Sequence, residues 1–264
     1  FYLGELNGAE AVSYNDSSWD DVTLPHDYSI DQGFSTAAPA EQESGYVLGG
    51  TGWYRKSFTL DESMQGKTVS IDFDGVYMNA TVYLNGEKLG THPYGYTPFS
   101  FVLPQDKLKF GSEENVITVK VDHKQPSSRW YSGSGIYRDV KLTVADPVHV
   151  ANYGTTVTTP DIESGKGTVS VVTEVQNDSS EAADVSVKQT VYEKGSDVPA
   201  AEGEKTKVQS VAAGKTARIE ASVTVADPKL WDTENPNLYT VKTEVYVGDT
   251  LKDSYHSDFG FRWV

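Results

Sequence analysis

Short runs in which apolar and polar residues alternate, separated by turn residues, recur along the whole chain. Residues 54–60, 68–73, 80–84, 116–121 and 140–144 have the length and two-residue period of strands with one buried face. Asn85-Gly86 follows the third of these directly, and this pair predicts a tight hairpin because both turn positions need positive φ. Residues 148–153, 167–175, 183–192, 215–225, 238–247 and 253–259 repeat the pattern. Apolar residues at helical spacing are almost absent. Residues 61–66 read as a single turn, and no fixed-period repeat is found.

The texture changes at Asp146-Pro147, beyond which clustered Trp and Gly give way to plainer alternation. The expected architecture is all-β, with a jelly-roll over residues 1–145 and an immunoglobulin-like β-sandwich over 146–264. Six or seven strands in about 115 residues suit the second, and a long irregular stretch over 25–52 suits the larger first domain. A (β/α)8 barrel needs roughly 250 residues of alternating strand and helix, so this chain has no room for one.

Composition narrows the function classes. The 38 acidic residues against 22 basic ones give a net charge of −16, which repels phosphate backbones and anionic lipid; no nucleic-acid or membrane partner is expected. No run approaches the roughly 20 apolar residues of a membrane span. Phe1-Tyr2-Leu3-Gly4 reads like the middle of a strand, so we expect the natural N-terminus to lie upstream, and localisation stays open. The absence of cysteine excludes disulfides, thiolate metal sites and cysteine nucleophiles. The 16 Tyr and 5 Trp suit pleated, half-buried surfaces and also the apolar faces of sugar rings.

The usual catalytic signatures are missing. The five histidines, at 26, 92, 123, 149 and 256, never stand at metal-ligand spacing, so neither metal nor cofactor is expected. Gly50-Thr51-Gly52 begins like a dinucleotide fingerprint, but Arg55 breaks it and a strand follows; a loop that places Trp53 is expected. Ser132-Gly133-Ser134-Gly135 lacks the context of a nucleophile elbow. The acidic residues cluster in turns such as Asp61-Glu62 and Glu113-Glu114, which reads as a solvated surface and not as a paired-carboxylate site.

Four segments together resemble glycoside hydrolase family 2, the group of β-galactosidases, β-glucuronidases and β-mannosidases. They are Ser18-Trp19 with Val22-Thr23-Leu24-Pro25-His26-Asp27-Tyr28; Gly52-Trp53-Tyr54-Arg55-Lys56; Phe73-Asp74-Gly75-Val76 with Tyr83-Leu84-Asn85-Gly86 and Gly95-Tyr96-Thr97-Pro98-Phe99; and Ser128-Arg129-Trp130-Tyr131 through Arg138-Asp139-Val140. Leu230-Trp231, Asn235-Pro236-Asn237-Leu238-Tyr239 and Phe259-Gly260-Phe261-Arg262 add weaker marks, the last resembling the strand that leads into the catalytic barrel. The resemblance implies a sugar-binding domain and an immunoglobulin-like domain from a retaining, β-galactosidase-like enzyme, with both catalytic glutamates on a barrel outside this sequence.

It also implies two sugar-facing loops. Asp27, beside His26, follows a proline that ends a strand and can accept hydrogen bonds from sugar hydroxyls; the plain alternative is an Asx-turn, with His26 orienting the loop. Arg129 offers a fork of donors and Trp130 and Tyr131 offer stacking faces; the alternative is packing against the barrel. Trp19, Trp53, Tyr77, Tyr83, Trp231 and Tyr239 are read as packing residues, and Arg138 with Asp139 as a structural pair. The expected partners are a β-galactoside or related glycoside, through the parent enzyme, and that enzyme's barrel; a homo-oligomer is compatible. Two other classes stay open: a self-sufficient carbohydrate-binding module, and a structural or adhesive sandwich pair.

Overall fold

The computed structural model describes residues 1–262, which form two compact units, Phe1–Val144 and the part from Ala145 onward. The first unit contains β1 (Tyr2–Leu3), β2 (Gly50–Phe58), β3 (Thr68–Phe73), β4 (Ala80–Leu84), β5 (Glu87–His92), β6 (Phe99–Val102), β7 (Asn115–His123) and β8 (Val140–Ala145). They make a five-stranded sheet in the order β1-β2-β7-β4-β5 and a three-stranded sheet in the order β6-β3-β8. The pairs β1–β2, β2–β7, β4–β7, β4–β5 and β3–β6 are antiparallel, as a jelly-roll requires.

Alternation explains the packing. Val69, Ile71 and Phe73 of β3 face Ala80, Val82 and Leu84 of β4 across one core, together with Val119 and Val121 of β7. The β4–β5 hairpin turns on Asn85 (φ 51°) and Gly86 (φ 88°), the geometry the Asn-Gly pair predicts. Residues 61–66 contain the expected turn, a 3-10 helix over Glu62–Met64 capped by Asp61. Arg55 fastens the irregular N-terminal segment, donating to the carbonyls of Ala9 and Ala11 and pairing with Asp16 at 2.9 Å.

Three local expectations fail. Gly50-Thr51-Gly52 is not a loop but the start of β2, paired with β1 on one side and β7 on the other. A side chain at Gly52 would lie 2.6 Å from the Tyr28 ring, so the glycine serves close packing within a strand. Leu24 ends no strand, since residues 20–27 are irregular. Arg138 and Asp139 do not pair: Arg138 stacks over Tyr137 at 5.3 Å and reaches the Asp74 carbonyl, and the Asp139 carbonyl accepts from the Asp74 amide.

The second unit contains β9 (Val148–Thr158), β10 (Ile162–Glu163), β11 (Lys166–Asn177), β12 (Ala183–Glu193), β13 (Pro199–Glu202), β14 (Gln209–Val211), β15 (Lys215–Ala226), β16 (Tyr239–Val247) and β17 (Thr250–Phe259). One sheet centres on β11, flanked by β15 and by β9 and β10; the other runs β13-β12-β16-β17, with β14 also on β12. These two sheets form the immunoglobulin-like sandwich. Its core divides in two, with Val175, Val187 and Val245 in one cluster and Val171, Val191 and Val241 in the other. Between them lie Thr173 and the register pair Gln189 and Thr243, all buried, with the Gln189 amide hydrogen-bonded to both threonines. The Gln189 amide thus ties the two sheets together while leaving neither of its ends unsatisfied. Phe261 is fully buried in this unit, and its carbonyl accepts from the Trp231 amide at 2.7 Å.

Candidate functional site

The two loops singled out in the sequence meet. Asp27 adopts an extended conformation (φ −127°, ψ 99°) and caps the single-turn helix α1 (Tyr28–Asp31), its Oδ1 accepting from the Ser29 amide at 2.9 Å. The same oxygen accepts from the Ser134 amide at 2.8 Å, and Oδ2 accepts from the Tyr131 hydroxyl. One carboxylate therefore closes its own Asx-turn and holds the second loop by a backbone and a side-chain donor. Short backbone pairings continue the seam: His26 N to Ile136 O at 2.8 Å and Tyr28 N to Ser134 O at 3.0 Å. Tyr77 and Gly135 exchange amide hydrogen bonds on the other side.

Glycine makes this approach possible. Gly135 has φ 112°, and a side chain there would lie 2.3 Å from the Tyr54 hydroxyl. Gly133, at φ 71°, sits where a side chain would meet Asp27 Oδ2 at 2.8 Å. The Ser132–Gly135 stretch therefore turns inward, toward Asp27.

His26 is largely buried. Its Nε2 lies 3.2 Å from Asp31 Oδ2 and its Nδ1 2.7 Å from the Tyr54 hydroxyl, while Phe1 packs edge-on at 4.6 Å. The carboxylate can only accept, so Nε2 carries a hydrogen, and in the neutral ring Nδ1 accepts from the Tyr54 hydroxyl. Both ring nitrogens are spent on orienting the loop. Burial pushes the Tyr54 and Tyr28 phenols up from their ordinary value. Tyr131 is also pushed up, first by partial burial and then by the Asp27 carboxylate to which it donates.

Arg129 and Trp130 project differently. Arg129 is exposed and makes no hydrogen bond or ion pair among the described residues. Trp130 is 68% exposed, although the Ser128 hydroxyl pins its carbonyl. Tyr94 and Tyr96 are also exposed, and Tyr77 connects this pair to the loop: its ring meets Tyr96 at 5.3 Å and its hydroxyl meets Ser127 at 3.0 Å. The arrangement offers a guanidinium fork and an indole face on a base fixed by Asp27. Among the described residues, no group of three or more His, Cys, Asp or Glu side chains could hold a metal ion.

Sequence reasoning passed over the layer beneath. His123, Ser134 and Ser29 are buried and linked in series, His123 Nδ1 to Ser134 Oγ and Ser134 Oγ to Ser29 Oγ. The available signal was parity: Val119 and Val121 point inward on β7, which puts His123 inward as well.

Comparison with known proteins identifies the architecture. The profile for the sugar binding domain of glycosyl hydrolases family 2 matches residues 4–147, and that for glycosyl hydrolases family 2 matches residues 148–262. The chain belongs to glycosyl hydrolase family 2. It is 40% identical to the β-galactosidase BoGH2A of Bacteroides ovatus, over 99% of this chain and 30% of that protein. It is 30% identical to a β-glucuronidase of Formosa agariphila, over 96% of this chain and 28% of the relative. Among solved structures, a family 2 member from Bacteroides cellulosilyticus matches with a TM-score of 0.92 at 33% identity, over 99% of this chain and 34% of that one. A Bacteroides uniformis β-glucuronidase matches with a TM-score of 0.81 at 31% identity, over 98% of this chain and 31% of that one. The family 2 chain therefore spans about a third of the length of the relatives it matches.

Proposed function

We propose that this chain is the sugar-binding and immunoglobulin-like portion of a retaining family 2 glycosidase acting on a terminal β-galactoside or β-glucuronide. Residues outside it supply the two carboxylates of the reaction. The observation that carries the reading is the Asp27 carboxylate, which ties the 26–28 and 131–134 loops into one seat and leaves Arg129 and Trp130 directed outward. In this reading Arg129 donates to sugar hydroxyls or a sugar carboxylate, Trp130 stacks on a ring face, and Tyr131, Asp27 and His26 hold the seat.

Without the two carboxylates the chain binds sugar weakly and does not turn it over. Chromogenic β-galactoside and β-glucuronide test the second point directly, since hydrolysis that co-purifies with the chain contradicts it. Calorimetric titration with galactose, lactose and glucuronate tests the first. A dissociation constant well below about 1 mM, near −4 kcal/mol, would instead favour a self-sufficient binding module.

A further inference from the structure

We infer that His123 is the positioning residue of the 127–134 loop, pinning both of its feet through a one-way chain of hydrogen bonds that requires a neutral ring protonated at Nδ1. The direction follows from the end of the chain. Ser29 Oγ lies 2.7 Å from the Leu48 carbonyl, which can only accept, so the single Ser29 hydroxyl hydrogen is used there. The contact between Ser29 Oγ and Ser134 Oγ is therefore donated by Ser134. Ser134, its hydrogen spent, accepts from His123 Nδ1. Nε2 of the neutral ring then carries a lone pair and accepts from the Ser127 hydroxyl at 2.8 Å. Ser127 in turn accepts from Tyr77 at 3.0 Å. Ser127 and Ser134 bracket the segment that carries Arg129, Trp130 and Tyr131, and His123 touches both.

The surroundings favour that state. His123 is 3% exposed, with the Tyr77 ring edge-on at 4.9 Å. Burial lowers its pKa from the ordinary value, against the pull of the Asp27 and Asp122 carboxylates. Asp122 is itself paired with Lys124 at 3.2 Å. A second proton would turn Nε2 from acceptor to donor. The exposed Ser127 hydroxyl would then have to reverse, accepting from Nε2 and giving up its hydrogen to solvent, and the one-way chain would lose its direction at the near foot of the loop. The near foot of the loop is thus anchored differently at neutral pH and in acid, while the far foot at Ser134 keeps its donor. The hydrogen-bond chain stands on this geometry alone; its bearing on sugar recognition rests on the proposed function.

The test is a long-range proton–nitrogen correlation spectrum of the nitrogen-15-labelled chain. The expected result is a neutral, Nδ1-protonated His123 ring at pH 7, and a Trp130 indole signal that shifts along the His123 titration as pH falls. An Nε2-protonated or charged ring at pH 7, or a Trp130 signal indifferent to that titration, overturns the inference. His123→Gln keeps a donor and an acceptor without a titrating group and should abolish the acid shift of Trp130; a shift that persists overturns the inference. If that variant does not fold, Ser127→Ala supplies the check. It should leave the Nδ1 tautomer in place and move the Trp130 signal at pH 7 toward its acid position, and an unmoved signal is the contrary result. None of these readouts involves sugar, so they fail or succeed independently of the proposed function.

Discussion

At the scale of single residues, Asp27 links the two loops of the candidate site. Its two oxygens take two backbone amides and a phenol. Asp27→Ala should cost about 2–3 kcal/mol, combining a lost helix cap with a lost loop tie. Asp27→Asn keeps an acceptor for the amides, but its new donor faces the Tyr131 hydroxyl, which must reverse; a loss of about 1 kcal/mol is expected. Urea unfolding followed by Trp fluorescence measures both, and equal effects would contradict the assignment of separate roles to the two oxygens. The raised phenols of Tyr28 and Tyr54 set an alkaline limit. Above about pH 10 the unfolded chain loses these protons while the folded one keeps them, so stability falls by about 1.4 kcal/mol per pH unit for each phenol. Unfolding midpoints at pH 8 through 11 test the sign, and Tyr54→Phe should reduce the slope.

The loops themselves were legible in the sequence because Pro25-His26-Asp27 and Arg129-Trp130-Tyr131 are local motifs. Their connection was not. Tyr131 and Asp27 are 104 positions apart, and no local pattern records which carboxylate a distant phenol will find. Buried polar residues such as Ser134 and Ser29 escape for a related reason: their hydroxyls are used on partners that only the folded chain supplies.

At the scale of elements, period-two alternation places the long strands within a residue or a few at their ends. It fails where tertiary contact decides. Gly50-Thr51-Gly52 carries no apolar alternation and pairs because β1 and β7 flank it. Residues 99–102 are too short and too exposed to announce β6. The β4–β5 hairpin also depends on a residue that its own motif does not reveal. Asn115, fully buried at the start of β7, accepts from Asn85 Nδ2 at 3.0 Å and exchanges two hydrogen bonds with the Lys109 backbone. Asn115→Ala strands these groups and should cost about 3 kcal/mol, more than a hairpin change such as Gly86→Ala, at about 1 kcal/mol. The ranking is read from denaturant midpoints, and a milder effect at Asn115 contradicts it. In the second sandwich, Val171→Ala should cost about 2 kcal/mol, since Val171 is fully buried in one of the two apolar clusters.

At the scale of the molecule, two sandwiches present a family 2 architecture that reaches across about a third of its relatives' length. The acidic surface, with a net charge of −16, is compatible with neutral sugars and leaves Arg129 as an exposed cation beside Trp130. That contrast favours recognition of a hydroxyl array or a carboxylate by this one side chain. The direct measurement is steady-state kinetics of the proposed full-length glycosidase with chromogenic β-galactoside and β-glucuronide, comparing Arg129→Ala and Trp130→Ala with the unaltered protein. Both residues are exposed, so thermal midpoints should stay put. The account predicts a fall in kcat/KM of about ten-fold or more on the true substrate, about 1.4 kcal/mol of lost transition-state binding. Unchanged kcat/KM in both variants on both substrates would contradict a sugar-facing role for the Asp27-tied loops.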